Sequence, residues 1–419
     1  MFSRGSRPSC QLPCVDPCKR ARLDDQALSV AAQKRIESFS GRPEQADGLL
    51  PTDDSPMLLS ADSSPSRRQG LTLGPTLRRF NRYREALPYA RAANDMSSQL
   101  GATASDKDKD VEADCLTRLP VTADALAQEL GMPAGSIADK DLRDEGTGFR
   151  AAMYRDEATG QLILVARDTQ PKSLVDWQTN TRNGEGRDTD QYAGMRVLAR
   201  RFADNGVDFD VAGFSKGGGL AQEAALVNPK ANVYVFNSAG LHENSLARTG
   251  TKDFDSLASR TQAFSSSNDF LTYMNETTDP GQQIANARFL RSELEGENRR
   301  GLDPMAIDHR NPAKADADKD QKFEADLEAY LGELDAMIGR LEQDHASGRP
   351  LRSFPPVRAG QKEVIPDSDS LGGNLLHAAN PGPNLGKLVQ HRMSNVLEPM
   401  ECQLETDRET LEAFLEDCP

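Results

Sequence analysis

Residues 207–226 impose the tightest constraint on how this chain folds. Val207-Asp208-Phe209-Asp210-Val211 alternates apolar and polar residues like a short strand. Leu220-Ala221-Gln222-Glu223-Ala224-Ala225-Leu226 is built from good helix formers. Between them lies Ala212-Gly213-Phe214-Ser215-Lys216-Gly217-Gly218-Gly219. A strand, a glycine-rich turn and a helix, with a serine at the apex, is the sequence form of a nucleophile elbow, Gly-x-Ser-x-Gly. Small residues must flank the serine so that strand and helix can pass close together, and Gly213 and Gly217 hold those positions. The hydroxyl then projects from the turn, and the helix N-terminus behind it favours developing negative charge. Glycines before a helix can also cradle a phosphate, but the P-loop order Gly-Lys-Ser/Thr and the dinucleotide fingerprint are both absent.

The surrounding segments predict an α/β fold. Residues 121–130 read as a helix with Leu126 and Leu130 on one face and Gly131 as its stop. Residues 149–154 and 161–166 read as a hairpin around Asp156-Glu157-Ala158-Thr159-Gly160. The second of these strands is apolar throughout, as a strand in the middle of a sheet should be. Asp190-Gln191-Tyr192 opens a helix with Tyr192, Met195, Leu198 and Phe202 at helical spacing. Further strands are expected at 232–236 and 261–265. Strands alternating with helices imply a mostly parallel sheet whose functional groups sit at the C-terminal strand ends. Arg167-Asp168-Thr169, Ser215 and Asp269 occupy such ends.

Charge and cysteine usage exclude several classes. The 419 residues carry 50 Lys and Arg against 65 Asp and Glu, a net charge of −15, which argues against a general nucleic-acid binder. The six cysteines (Cys10, Cys14, Cys18, Cys115, Cys402 and Cys418) are too sparse for a disulfide framework. No apolar run is long enough to span a membrane, and no apolar segment marks a classical secretory signal. Asp106-Lys107-Asp108-Lys109-Asp110 and Asp316-Ala317-Asp318-Lys319-Asp320 fail as calcium loops because the required glycine and glutamate are missing. No metal or cofactor is expected.

Residues 1–110 are expected to be a disordered secretion or targeting region. They are rich in Ser, Pro, Arg, Asp and Gln and lack a sustained apolar period. One stretch, 77–92, can form a helix with Leu77, Phe80, Tyr83 and Leu87 on one face. The first 92 residues hold 15 Lys and Arg against 10 Asp and Glu, so the acidic excess lies in the rest of the chain. A basic arm on an acidic body is suited to contact with an anionic membrane surface.

The ordered set Arg167-Asp168-Thr169, Asp176-Trp177-Gln178-Thr179-Asn180, Gln191-Tyr192, Gly213-Phe214-Ser215-Lys216-Gly217-Gly218, Phe236-Asn237-Ser238-Ala239-Gly240 and Asn268-Asp269 resembles the lipase-like α/β-hydrolases. The closest groups in pattern are the class-3 lipases and the bacterial Ser-Lys-Gly-Gly lipase-like proteins. The resemblance covers about residues 145–275 and 385–400. It implies an α/β-hydrolase domain over 111–419, with Ser215 as nucleophile and Asp269 as the acid that orients a histidine. It also implies an oxyanion hole from the backbone N–H of Lys216 and a donor at Thr169. Such families read Arg-Gly-Thr at the oxyanion loop. Here Asp168 replaces the glycine and brings a negative charge beside a developing oxyanion.

The base must follow the acid in chain order, which excludes His242. His345, past a charged helix, reads as solvated. Of the remaining histidines, His391 resembles the His-x-Met segment that opens the family's final helix, with His377 next and His309 last. Residues 276–370 are expected to be a helical insertion or a lid. Within it Phe323, Leu327, Leu331, Leu334, Ile338 and Leu341 form an apolar stripe, and 349–373 read as loop. The implied activity is hydrolysis of carboxylic esters in membrane lipids or phospholipids through a Ser-His-Asp triad. A polar, Ser-rich N-terminus without a cleavable signal resembles substrates of bacterial type III secretion, which implies an effector secreted into host cells. Two other readings stay open: a non-catalytic interaction protein on a degenerate scaffold, and an acyltransferase using the same triad.

Overall fold

The computed structural model describes residue 34 and residues 65–98, 116–170, 173–250, 254–266, 269–276, 279–295, 317–348, 361–365 and 393–417. Its centre is an eight-stranded sheet: β1 (Leu116–Arg118), β2 (Arg143–Asp144), β3 (Phe149–Asp156), β4 (Leu162–Ala166), β5 (Asp210–Phe214), β6 (Val233–Phe236), β7 (Thr261–Ser266) and β8 (Gln361–Ile365). Strands run in the order β1-β3-β4-β5-β6-β7-β8, with β2 paired to β3 off that path. The β3–β4 hairpin is antiparallel, and every pair from β4 to β8 is parallel. The expected mixed α/β fold with a mostly parallel sheet is therefore present, and it is compatible with a hydrolase-like architecture.

The helices that matter below are α1 (Pro65–Ser98), α2 (Leu174–Gly184), α3 (Asp190–Asp204), α4 (Lys216–Val227), α5 (Pro280–Glu295), α6 (Ala317–Ala346) and α7 (Ser394–Asp417). The chain divides into two compact units, 1–87 with 400–419, and 88–399. In the first, α1 buries Leu77, Phe80, Tyr83 and Leu87, the face expected from their spacing. Residues 400–417 of α7 bury Met400, Leu404, Leu411 and Phe414. The Arg79 guanidinium grips the Asp407 carboxylate with Nε at 2.8 Å and Nη2 at 2.5 Å.

In the second unit each face of the sheet is covered. Phe149, Ala151, Met153, Leu164, Val211 and Val235 meet Tyr192, Met195, Leu198 and Phe202 of α3 and Leu220, Ala221 and Ala224 of α4 in one core. On the other face the Tyr89 ring stacks on Tyr234 at 3.6 Å, and its hydroxyl donates to Asp210 at 2.6 Å. Tyr154 of β3 likewise donates to Asp95 of α1 at 2.7 Å. Period-2 alternation in β3 explains why its two sets of side chains enter two different cores.

These contacts correct the expectation of disorder across 1–110: residues 65–98 are one helix, and its portion from Pro88 onward packs on the sheet. A 34-residue helix with two interior prolines, Pro75 and Pro88, and arginines around it has little amphipathic contrast, so its period shows only where the apolar face is dense. The reading of 349–373 as loop is also corrected, because Gln361–Ile365 forms β8 beside β7. The five residues Gln361-Lys362-Glu363-Val364-Ile365 are polar at their start, and an edge strand needs no continuous apolar run. The cysteine cluster at 10–18 and the charged stretch 106–110 lie outside the described residues.

Helices α5 and α6 pair through Ile284, Ala287, Leu294, Leu327, Tyr330, Leu334, Met337, Ile338 and Leu341, and Leu174 of α2 joins that core. The expected stripe is buried at Leu327, Leu334, Ile338 and Leu341 and half-buried at Leu331, while the Phe323 side chain lies outside the described residues.

Candidate active site

Strand β5 runs straight into Ser215, which caps the N-terminus of α4 at φ 54° and ψ −125°. This is left-handed backbone for a non-glycine residue, and its cost is met by the hydrogen bonds around it. The Ser215 N–H donates to the Phe236 carbonyl at 3.0 Å, and the Ser215 carbonyl accepts from Gly218 at 3.0 Å and Ala239 at 2.9 Å. The glycine requirement is steric. A Cβ at Gly217 would stand 2.3 Å from the Ala166 carbonyl oxygen, and one at Gly213 would stand 2.2 Å from that of Gly217. The strand-turn-helix expected around Ser215 is thus present, and the serine is 95% buried in the free chain.

Lys216 does not reach toward solvent. Its side chain is fully buried, and its Nζ donates to Asp176 Oδ1 at 2.5 Å and Gln191 Oε1 at 2.7 Å. Gln191 Nε2 donates in turn to the same Asp176 oxygen at 2.6 Å and to the Thr147 carbonyl at 2.8 Å. The other oxygen, Asp176 Oδ2, accepts from the Gln170 amide at 2.8 Å. Burial pulls the Lys216 ammonium below its ordinary pKa, against the attraction of Asp176. One carboxylate therefore ties the residue after the serine to the loop at 167–170. Asp176, Gln191 and the Lys216 side chain stood in the sequence pattern without a role. Only the fold brings residues 40 and 25 positions away in sequence onto the Lys216 ammonium.

That loop is held at several points. Arg167 Nη2 donates to the Gly148 carbonyl at 3.0 Å. Thr169 Oγ1 accepts from Asn180 Nδ2 at 2.9 Å. Asp168 is half-buried, and its Oδ1 accepts from Gln170 Nε2 at 3.3 Å.

Asp269 follows the C-terminal end of β7 and is 1% exposed. Its Oδ2 accepts from the Thr272 amide at 2.6 Å, and its own amide donates to the Ser266 carbonyl at 3.3 Å. Asn237, at φ 41°, fastens the ends of β6 and β7 by donating to Ser266 Oγ at 3.1 Å and accepting from the Ser266 amide at 2.8 Å. Ser215 and Asp269 thus leave strands separated only by β6, about 10 Å apart at the backbone by ordinary strand spacing.

The three candidate bases, His309, His377 and His391, lie outside the described residues. Met393, two positions after His391, is buried, and α7 begins at Ser394. His242 accepts from the Asn244 amide at 3.1 Å as a helix cap, and His345 is exposed in the last turn of α6. Among the described residues no His, Cys, Asp and Glu cluster could hold a metal ion, and no helix is long and apolar enough to cross a membrane.

A mostly parallel sheet with a strained serine between strand and helix, and a buried carboxylate two strands away, is compatible with a hydrolase-like α/β domain. The family model of the phospholipase-like, Tle-like phospholipase domain matches residues 106–318. That is half of the chain, and the chain belongs to this family. The match runs from before β1 into α6 and includes Ser215, Asp176 and Asp269; His377 and His391 lie beyond it. At the level of the family, the chain is a phospholipase-like hydrolase of lipid esters. Comparison with curated proteins gives no match.

Proposed function

We propose that this protein is a serine-dependent phospholipase that cleaves carboxylic esters of membrane lipids through Ser215, Asp269 and His391. The observation that carries this reading is the conformation of Ser215: a positive φ at the end of β5, with α4 starting at the next residue. The Ser215 hydroxyl attacks the ester carbonyl and gives its proton to the histidine, which Asp269 orients. The tetrahedral oxyanion takes hydrogen bonds from the backbone N–H of Lys216 and from the loop at Thr169. Its collapse releases the lysolipid, protonated by the histidine, and leaves an acyl-serine. Water activated by the same histidine then cleaves the acyl-enzyme.

His391 is favoured over His309 because β8 extends the sheet beyond β7 and a segment following β8 starts from the correct edge. His309 precedes β8. His377 shares that advantage but lacks the position immediately before the last helix. The broader likeness to class-3 lipases is part of the same reading.

Ser215→Ala should lower hydrolysis at least ~10³-fold with the melting curve unchanged. Lipid mass spectrometry on membranes incubated with each protein reads this directly, and full activity in the variant would end the proposal. Asp168 supports a second reading, an interaction protein on a degenerate scaffold, because a carboxylate beside the oxyanion opposes it. A fluorophosphonate probe separates the two: an activated Ser215 is labelled, and a decayed one is not. An acyltransferase would instead move the acyl group to an added alcohol in preference to water.

Delivery into host cells is supported by the Ser-rich composition and basic character of residues 1–92. Secretion of a reporter fused to residues 1–92 tests it, and retention of the fusion inside the bacterium would count against it.

A further inference from the structure

Beside the candidate oxyanion loop the sheet carries a row of like charges. Arg143 of β2 stands directly opposite Arg150 of β3 in register. One step past the last paired residues of β3 and β4, the Arg167 amide donates to the Arg150 carbonyl at 2.9 Å. Directly opposed residues point to the same face, so three guanidinium groups neighbour one another across three strands. Arg118 of β1 faces Tyr154, four residues along β3 from Arg150 and on the same face.

Like charges directly opposed across strands destabilise a sheet, so such a row needs counter-charge. Little is present. Glu145 pairs with Arg143, and Asp95 lies 3.3 Å from Arg118 while also accepting from Tyr154. Among the described residues the Arg150 guanidinium makes no hydrogen bond or ion pair. Among the described residues the Nε–H of Arg167 is buried without a hydrogen-bond partner, while the Arg118 Nε has the Asp95 carboxylate at 3.3 Å. Burial, with Arg143 and Arg167 nearby and Glu145 acting against them, brings Arg150 down to about 10. All this sits in a chain of net charge −15, where acidic partners are abundant elsewhere.

We propose that Arg150, flanked by Arg143 and Arg167, binds a phosphate group immediately beside the loop that carries Asp168 and Thr169. A guanidinium fork matches the paired oxygens of a phosphate, and several donors on one sheet face can share its charge. The phosphate comes from a lipid head group or from free phosphate. The head-group source rests on the phospholipase reading above; the anion site itself does not. In the lipid case the site holds the head group while the ester carbonyl lies at the neighbouring strand end, and it would distinguish phospholipids from neutral glycerolipids.

The test uses full-length Ser215→Ala protein, so that binding is read without turnover. Inorganic phosphate, dihexanoyl phosphatidylcholine and dihexanoylglycerol are titrated by calorimetry, with and without Arg150→Met. Removing a charge-assisted partner should weaken phosphate binding at least about tenfold. Arg150→Lys, which keeps the charge but loses the fork, should fall between; it also serves if the methionine variant does not fold. Phospholipid preferred over diacylglycerol, with that preference lost in Arg150→Met, supports the head-group source. Phosphate binding lost in the variant without any lipid preference supports the site with free phosphate as its ligand. Phosphate and phospholipid binding that are both undetectable, or both independent of Arg150, overturn the proposal. If the wild-type protein hydrolyses no lipid, the catalytic reading fails while these titrations still decide the anion site.

Discussion

The two ends of helix α2 do opposite kinds of electrostatic work. At its start, Asp176 is wholly buried and shared among Lys216, Gln191 and the Gln170 amide. At its end, Arg182 is paired with Glu333 of α6 at 2.7 Å, Arg187 reaches the same carboxylate at 3.1 Å, and Arg340 pairs with Glu185. Of these groups Arg187 and Arg340 are exposed, Arg182 and Glu333 are half-buried, and Glu185 is the most covered. Between the two ends, the buried Tyr330 hydroxyl lies 2.6 Å from Thr181 Oγ1 and donates to the Trp177 carbonyl at 3.0 Å. The chemistry is similar at both ends, but the dielectric is not. A buried ion pair is expensive to break because the remaining charge has no water to turn to, whereas an exposed pair contributes little and yields to salt. The elbow end is therefore rigid, and the helix-pair end is held by packing with charges at its rim.

That contrast can be broken first at Asp176. Asp176→Ala strands a buried ammonium and should cost about 3–5 kcal/mol in urea unfolding, while the double replacement Asp176→Leu with Lys216→Met recovers much of the loss. A cost below about 1 kcal/mol for the single variant would mean that the buried pair is not holding the elbow. Tyr330→Phe removes the hydroxyl but keeps the ring in the α5–α6 core, and about 1 kcal/mol of destabilisation is expected in the same measurement.

The smallest effect belongs to Glu333. The hydrogen bond from Arg182 holds its carboxyl below the usual range. A carboxyl whose folded pKa is lowered stabilises the fold above its unfolded value, and this is lost as pH falls through the folded one. Glu333→Gln should therefore matter by no more than about 1 kcal/mol near neutral pH and low salt. The difference between variant and wild type should vanish in high salt and at acid pH. A Glu333 effect that survived high salt would place this end with the buried one.

Much of the fold was legible because local patterns and tertiary demands agree. Apolar runs at 162–166 and 233–236, a glycine turn and an amphipathic α3 each need only neighbours in sequence to be recognised. The serine elbow was legible for the same reason, since Gly213 and Gly217 answer a steric problem within a few residues. Helix α1 was legible only over 77–92, where its apolar face is dense. Its docking through Tyr89 and Asp95 was not, because partners at 210, 234 and 154 are set by the path of the sheet. Strand β8 was hidden by length and polarity: five residues at a sheet edge leave little period to read.

The sequence by itself placed Ser215 at the apex of a tight strand-to-helix turn, since Gly213 and Gly217 are the residues that let β5 and α4 pass so close. It also determined the alternation of strands and helices, because side-chain periodicity is a local property of the chain. Only the tertiary structure decided that Lys216 points inward to Asp176 and that Asp269 emerges two strands from Ser215. It alone aligned Arg143, Arg150 and Arg167 in one row. Those facts depend on strand order and register, which bring distant residues together, and on burial, which changes what a charge costs once it is there.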